Sequence, residues 1–529
     1  MIAFQFNLTV GHCTEKYLKK WLKILAENNY DTIIWEIEDA VVFDTCPDVA
    51  AVEAFTKTEF KSILDYSSEL GLNNIPLLQT MAHNAYVLKH KQYFHLADHP
   101  GFIELYCPLN PDVHTFLNKL IAEYVEFFGN ITHFHLGCDE AWALGGKYCD
   151  GECKEYMKTH SISDLFTQHL LKLTKPLIEQ KITPIIWADM VMKHDEMLEM
   201  LPKEIMLFDW MYQTKYHGDK VWDWEIDKLC SLTELSNSTK EKYKDFLFLD
   251  KDQAIVNPFY SSQFLKSQGF KVVGCSASAS YGDNVFSLRN KLHTLNSLGW
   301  FNEYMSNNCD GYVLTSWTVH LFPYEMQLAQ IMIPEFVSQN SKGGLVEFQK
   351  FLTLKLFGIE IINFFDTCEL IAGNVLFSYT ASLGFNTCIF ETPDKHIQIT
   401  LEKLATEGNL QLELDNCYNQ LINYKKALII FKEFHNVAIK GDDILDLWIL
   451  QTENLINRAE ISALILTHKI AEDINEPESP KEENLDQVIS KLKSLKIDLE
   501  LSYQSKIKPC RRGEIIGLLF DPILQYIIK

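Results

Sequence analysis

The chain has 529 residues, longer than one hydrophobic core usually serves, so two domains are expected. It is 47% hydrophobic and 22% charged, an ordinary globular balance. With 48 Lys and Arg against 71 Asp and Glu it carries a net charge of −23, a field that repels phosphate backbones and anionic lipid and argues against nucleic-acid and membrane partners.

No apolar run reaches the roughly 18 residues of a membrane span. The opening stretch MIAFQFNLTVGHCTEKYLKK lacks the basic and apolar regions of a secretory signal. Thirteen cysteines, an odd number scattered through apparent strands and helices, fit reduced thiols better than a disulfide framework, so a cytoplasmic protein is expected. The nearest in sequence are Cys138, Cys149 and Cys153. They lack the tight pairing of zinc sites, and neither a metal nor a cofactor is expected.

In chain order, eight short apolar runs read as strands: Ala3–Leu8, Thr32–Ile37, Asn74–Leu78, His133–Gly137, Thr183–Trp187, Ile205–Phe208, Lys271–Cys275 and Gly311–Thr315. They are continuous rather than alternating, as strands buried on both faces are. Amphipathic helices separate them. In Thr14–Asn28, Leu18, Trp21, Leu22 and Leu25 share one face. Thr58 reads as an N-cap with Phe60, Ile63 and Leu64 facing inward and Gly71 past the end. Asn110-Pro111 opens a helix with a Phe116, Leu117, Leu120 and Tyr124 stripe, and Ser163 opens another with Phe166, Leu170, Leu173 and Leu177 inside.

Strand-then-helix units repeated eight times predict a (β/α)8 barrel over residues 1–338. An open doubly wound sheet is the alternative, but Val10-Gly11-His12-Cys13 is not the glycine-rich turn it usually carries. The polar excursion Gln213–Asn257, with Trp222 and Trp224, reads as a lid over the barrel mouth. From residue 339 to 529 strand signals nearly vanish. Leu345–Leu356, Leu401–Asp415, Ala427–Val437, Ile444–Ile470 and Leu485–Gln504 read as helices of an all-α C-terminal domain, with an acidic loop at Asp473–Asn484. This domain is read as a homodimerisation element.

Catalytic groups of such barrels collect where the strands end. Glu36-Ile37-Glu38-Asp39 follows the second strand, Gln79 to His83 the third, and Cys138-Asp139-Glu140 the fourth. Trp187-Ala188-Asp189 ends the fifth, Trp210 and Tyr212 close the sixth, and Trp317 follows the eighth. Taken singly, a tryptophan here is more often core than ligand wall, and an Asp-Glu pair is usually a solvated loop. Acids and aromatics gathered on one face instead describe a pocket for a neutral, hydroxyl-rich ring, so a small carbohydrate or glycoconjugate is the expected partner.

His135-Leu136-Gly137-Cys138-Asp139-Glu140 resembles the His-x-Gly-x-Asp-Glu signature of glycoside hydrolase family 20. Glu36–Asp39, Pro76–His83, Trp187–Met190 and Thr315–Trp317 are similar, in the same order, to elements of its hexosaminidase D-like branch. Ala82 stands where that branch has Gly and would strain the turn were its φ positive. Thr318, Val319 and His320 stand where an Arg is usual.

The resemblance implies an exo-acting β-N-acetylhexosaminidase that retains configuration through attack by the substrate's own acetamido group, an exception to the usual two-carboxylate scheme. It implies Glu140 as general acid and base, and Asp139 as the group that orients the acetamido arm. Tyr212 would donate to the acetamido oxygen, and Trp187, Trp210 and Trp317 would enclose it. Glu38 and Gln79 would read sugar hydroxyls, and Asp189 would hold Trp187 or Tyr212. His83 would pair with a carboxylate such as Asp39 to tune Glu140, or serve as a structural histidine. Two readings stand beside this one: a sugar-binding barrel without turnover, and a conventional retaining glycosidase with Glu38 as nucleophile.

Overall fold

The computed structural model describes residues 1–99, 101–146, 152–218, 220–250, 252, 254–317, 323–339, 343–378, 393–473 and 482–528. Eight strands close into a barrel. They are β1 (Ile2–Asn7), β2 (Thr32–Glu36), β3 (Asn73–Leu77), β4 (His133–His135), β5 (Thr183–Trp187), β6 (Met206–Trp210), β7 (Lys271–Ala279) and β8 (Gly311–Ser316). Each neighbours the next in sequence, and β8 returns to β1. This is the expected (β/α)8 architecture, followed by a helical C-terminal region.

The strands read as continuous apolar runs because both faces are covered: all five residues of β2 are buried. Trp35 stacks on Phe6 with ring centroids 5.0 Å apart, meets Phe60 edge-on at 5.3 Å, and donates its indole N–H to Asn74 Oδ1 at 2.8 Å. Truncating such a side chain to alanine costs about 3–5 kcal/mol. Parallel register aligns Asn7 with Glu36, Glu36 with Leu77, and Leu77 with His135, so these strands end at one level and their loops emerge together. β7 runs four residues beyond the predicted Cys275. Ser276 and Ser278 look polar in sequence but are buried and satisfied: Ser276 Oγ shares a hydrogen bond with the Tyr312 hydroxyl at 2.8 Å, and Ser278 Oγ donates to Gln327 Oε1 at 2.5 Å.

Two helix starts lie two residues ahead of the predicted positions. Thr56, not Thr58, caps Lys57–Glu69, and Ser161, not Ser163, caps Ile162–Glu179. Each forms a capping box, with Glu59 and Asp164 answering the cap's own N–H, which satisfies two orphan donors at once. Asn110 caps Pro111–Phe128 as expected. The excursion after β6 is a folded insertion rather than an open loop. It has a hairpin (Val221–Asp223 with Lys228–Cys230) and the helices Asn237–Lys242 and Lys244–Leu247, and Trp224 is buried.

The chain divides into two compact units. The first comprises Met1–Thr9, Leu18–Ala277 and Leu295–Ser316, and the second Val10–Tyr17, Ser278–Thr294 and Trp317–Lys529. Within the second, Leu410–Val437 and Asp442–Asp473 form a helical hairpin about Gly441, whose φ of 80° favours glycine, and Phe431 stacks on Trp448 at 5.6 Å. The helix predicted over Leu401–Asp415 is interrupted. Pro393–Thr406 ends before Gly408 (φ 68°), and the long helix begins at Leu410. The last helix, Pro509–Ile528, escaped prediction because Pro522 in its interior reads as a breaker. Most of the acidic loop at Asp473–Asn484 lies outside the described residues. Among the described residues, no helix is long and apolar enough to cross a membrane.

Candidate active site

The loops after β2, β3 and β4 bring an unusual set of backbone conformations to one end of the barrel. Glu38, His83, Cys138 and Glu140 all have positive φ, at 48°, 60°, 72° and 50°. Each costs roughly 1–3 kcal/mol relative to ordinary backbone, and such strain gathers where a fold serves chemistry. Ala82 does not share it; the left-handed turn falls on His83, so the alanine is unstrained. Gly137 (φ 66°) is obligatory for a second reason. A Cβ there would lie 1.9 Å from Gln79 Oε1 and 3.2 Å from Gln79 Cα.

At the centre, His83 Nε2 lies 3.4 Å from Asp139 Oδ2 and 3.6 Å from Glu140 Oε2. Asp39 instead sits 3.9 Å from Lys89 Nζ, so the pairing expected between His83 and Asp39 goes to Asp139 and Glu140. Burial pulls the imidazole pKa down, but the charges of Asp139, Glu140 and Glu104 prevail and push it up to about 10. Burial alone would raise Asp139; the imidazolium overrides it and holds that carboxyl below its ordinary value. Glu140 goes the other way. Burial lifts it, His83 opposes, and the charge of Asp139 adds to the rise. The second oxygen of Asp139, Oδ1, is buried without a hydrogen-bond partner among the described residues.

Asp189 fixes this pair from behind. Its Oδ2 accepts the Glu140 backbone N–H at 2.8 Å, and its Oδ1 accepts from Trp210 Nε1 at 3.4 Å. Burial, then the charges of Asp139 and Glu140, push its pKa up to about 8. Trp210 in turn stacks on Tyr212, centroids 5.1 Å apart. Trp187 is packed into the floor, 1% exposed, against His135 at 4.6 Å and Phe208 at 5.7 Å. Trp317 belongs to the second unit, where its backbone N–H donates to Ala279 O at 3.3 Å. Thr318, Val319 and His320 lie outside the described residues.

Gln79 is buried, and its amide donates to Glu36 Oε1 at 3.1 Å. Glu36 also receives Gln5 Nε2 at 2.7 Å and Asn7 Nδ2 at 2.6 Å, and burial pushes it up to about 7. Glu38, two residues on, is raised well above the usual range by burial and by the charges of Glu36 and Asp39. Sequence reasoning gave Glu36 no role of its own and passed over Gln5 and Asn7 as its amide donors. The signal was present: Gln5 and Asn7 recur at period two in the otherwise apolar β1, where only an interior polar partner accommodates them.

The loop carrying His83 has its own anchor. His169 Nε2 lies 2.9 Å from Thr80 O, so that nitrogen bears the proton, and His169 Nδ1 accepts from His114 Nε2 at 3.2 Å. Burial pushes these imidazoles down to about 3 and about 4, which keeps the clamp neutral.

One imidazolium just past the end of β4 thus bridges an acid pair unequal in pKa, Asp139 buried and Glu140 exposed. Residues 12–231 match the family model "Glycosyl hydrolase family 20, catalytic domain". The match covers 220 of the 529 residues and includes the stretch that bears Asp139 and Glu140. The chain is 28% identical to human hexosaminidase D over 178 residues, covering 31% of this chain and 35% of that protein. It is 28% identical to bovine hexosaminidase D over 146 residues, covering 27% and 41%. It thus spans less than half the length of the curated relatives it matches. Among solved structures, the chitobiase of Flavobacterium johnsoniae aligns with 93% of this chain and 74% of its own, at 15% identity and a TM-score of 0.49. The stretch His135–Glu140, which resembles the family signature, lies within the matched residues, and His135 is fully buried.

Proposed function

We propose that this protein is an exo-acting β-N-acetylhexosaminidase that removes terminal N-acetylhexosamine with retention, the substrate's acetamido group acting as nucleophile. The observation that carries this reading is His83 set 3.4 and 3.6 Å from two neighbouring carboxyls whose pKa values are driven apart. Glu140, raised and with its side chain 45% exposed, protonates the glycosidic oxygen as the bond to C1 breaks. The acetamido carbonyl oxygen attacks C1 and forms an oxazolinium ion. Asp139, held ionised, offers its unpartnered buried Oδ1 to the acetamido N–H and stabilises the cation. Glu140, now a carboxylate, takes a proton from the water that opens the ring. Orienting an internal nucleophile in this way is worth up to about 10 kcal/mol of barrier.

Around this core, Tyr212 donates to the acetamido oxygen, Trp210 and Trp187 exclude water, and Glu38 reads a sugar hydroxyl, as does Glu36 held by Gln79. The same reading takes residues 1–338 as the catalytic domain and 339–529 as a helical domain, a division that limited proteolysis tests. It places the protein in the cytoplasm, in keeping with eleven described cysteines that are all free thiols. It assigns no nucleic-acid partner, on the net charge of −23, and a homodimer that sedimentation decides. The deciding experiment is a panel of aryl β-glycosides differing only at C2 and C4, with a thiazoline mimic of the intermediate as inhibitor. Hydrolysis of the 2-acetamido sugars, blocked by the thiazoline, is expected. A plain glucoside turned over equally well would overturn the proposal.

A further inference from the structure

The hairpin after β3 and the loop after β4 meet at a second cluster, built of sulfur. Asp98 lies in the hairpin strand Ala97–His99, and Cys107 follows directly on its partner, Phe102–Tyr106. Cys153 lies in the short helix Glu152–Tyr156, in the same loop that begins with Asp139 and Glu140. The sulfurs of Cys107 and Cys153, both buried, are 3.7 Å apart. A carboxylate oxygen of Asp98 joins them in a set whose members all lie within 4.8 Å of one another, and no other such set of three converges among the described residues.

The spacing is that of a chelate. Two zinc–sulfur bonds of about 2.3 Å meeting at a tetrahedral angle hold their sulfurs about 3.8 Å apart. A disulfide would need about 2.05 Å. Two thiolates and a carboxylate leave one tetrahedral position for water. Sequence spacing could not show this set, because it grouped Cys153 with Cys138 and Cys149. Cys138 instead lies 3.2 Å from Thr80 Oγ1, and Cys149 lies outside the described residues.

We propose that Asp98, Cys107 and Cys153 bind a zinc ion that ties the hairpin to the loop bearing the acid pair. The hairpin is already tied to the His83 segment: Tyr106 N–H donates to Met81 O at 3.0 Å, and Asn84 N–H to Glu104 O at 3.2 Å. A metal at this point completes the link between the imidazole and the carboxyls it faces, so Asp98, Cys107 and Cys153 are positioning residues, remote from the reacting atoms.

The test is zinc binding by the reduced full-length chain, followed by mass-spectrometric metal analysis and competition with a chromophoric chelator. About one zinc per chain is expected, with affinity falling roughly tenfold or more in Cys107→Ser and in Cys153→Ser and unchanged in Cys510→Ser. Zinc should also raise the melting temperature of the wild type but not of Cys153→Ser. Should both serine variants fail to fold, alkylation of the wild type decides: added zinc must protect Cys107 and Cys153 selectively. A reduced chain that takes up no zinc overturns the proposal. So does one whose two thiols alkylate equally fast with and without zinc, or one that takes up no zinc and yields a Cys107–Cys153 disulfide on air oxidation.

Discussion

The two ends of the barrel use the same residue type in opposite ways. At the base, Asp310 stands just before β8, its Oδ2 accepting the Val272 N–H at 2.8 Å and its Oδ1 facing Lys266 Nζ at 3.0 Å. Asp31 does the same before β2, accepting the Ile2 N–H at 3.0 Å. Both cap a neighbouring strand from partly exposed positions, and nothing about them asks for more than a fold. At the mouth, Asp189 also caps a backbone N–H, that of Glu140, but it is buried and crowded by Asp139 and Glu140. Glu36, Asp139 and Asp209 are buried there as well, and burial pushes Asp209 up to about 7 against the single hydrogen bond from Ser261. Buried like charges cost stability, so a mouth that keeps them while the base avoids them is shaped by something other than folding.

The sharpest way to break this contrast is Glu140→Gln. It removes the transferable proton while leaving the backbone bond to Asp189 in place. Turnover of an aryl N-acetyl-β-glucosaminide should fall by about a thousandfold or more, with the melting temperature nearly unchanged. Near-normal turnover would remove Glu140 from the acid role. Asp139→Asn comes next, with a loss of roughly a hundredfold to a thousandfold in kcat. It carries a second signature. The Asp139 charge raises Glu140, so its removal should move the basic limb of the pH–rate profile to lower pH. A basic limb that stays fixed would separate the two groups.

The contrast also marks what sequence can carry. Strand existence was legible because eight parallel strands buried on both faces must read as apolar runs, and the closed barrel follows from their alternation with helices. The resemblance at His135–Glu140 located the acid pair. Conformation was not legible: nothing in the letters Glu38, His83, Cys138 and Glu140 announces positive φ, which the surrounding packing imposes on them. Nor was pairing. The partner of His83 is set by where two loops end, which is why the sequence suggested Asp39 where the structure has Asp139 and Glu140. Pro522 inside a helix and the buried serines of β7 hid for the complementary reason, since tertiary burial overrode what those residues prefer locally.

A smaller effect, but one with a sign, belongs to His83→Gln. The imidazolium holds the pKa of Glu140 down, so its loss should raise that pKa and shift the basic limb upward, opposite to Asp139→Asn, with kcat/KM reduced about tenfold to a hundredfold. The histidine also links pH to stability. Its folded value, about 10, exceeds the ordinary 6.5, so its contribution is fully present below pH 6.5 and is lost as pH rises toward 10. Denaturant midpoints measured across that range should fall with pH in the wild type and more gently in the variant. Equal slopes would mean that the imidazole is not charged in the folded chain.

The smallest expected effect completes the comparison from the other end. Asp310→Asn keeps an oxygen for the Val272 N–H but surrenders the charge facing Lys266, on a side chain 36% exposed. A cost of about 1 kcal/mol in stability is expected, with kcat and KM for the aryl glycoside unchanged. Asp189→Asn makes the same chemical change around the same kind of backbone cap, where the acceptor also positions Glu140 and Trp210. Its effect should appear in kcat more than in the melting temperature. If the two substitutions gave the same pattern, the mouth and the base would be doing the same job, and the distinction drawn between them would fail.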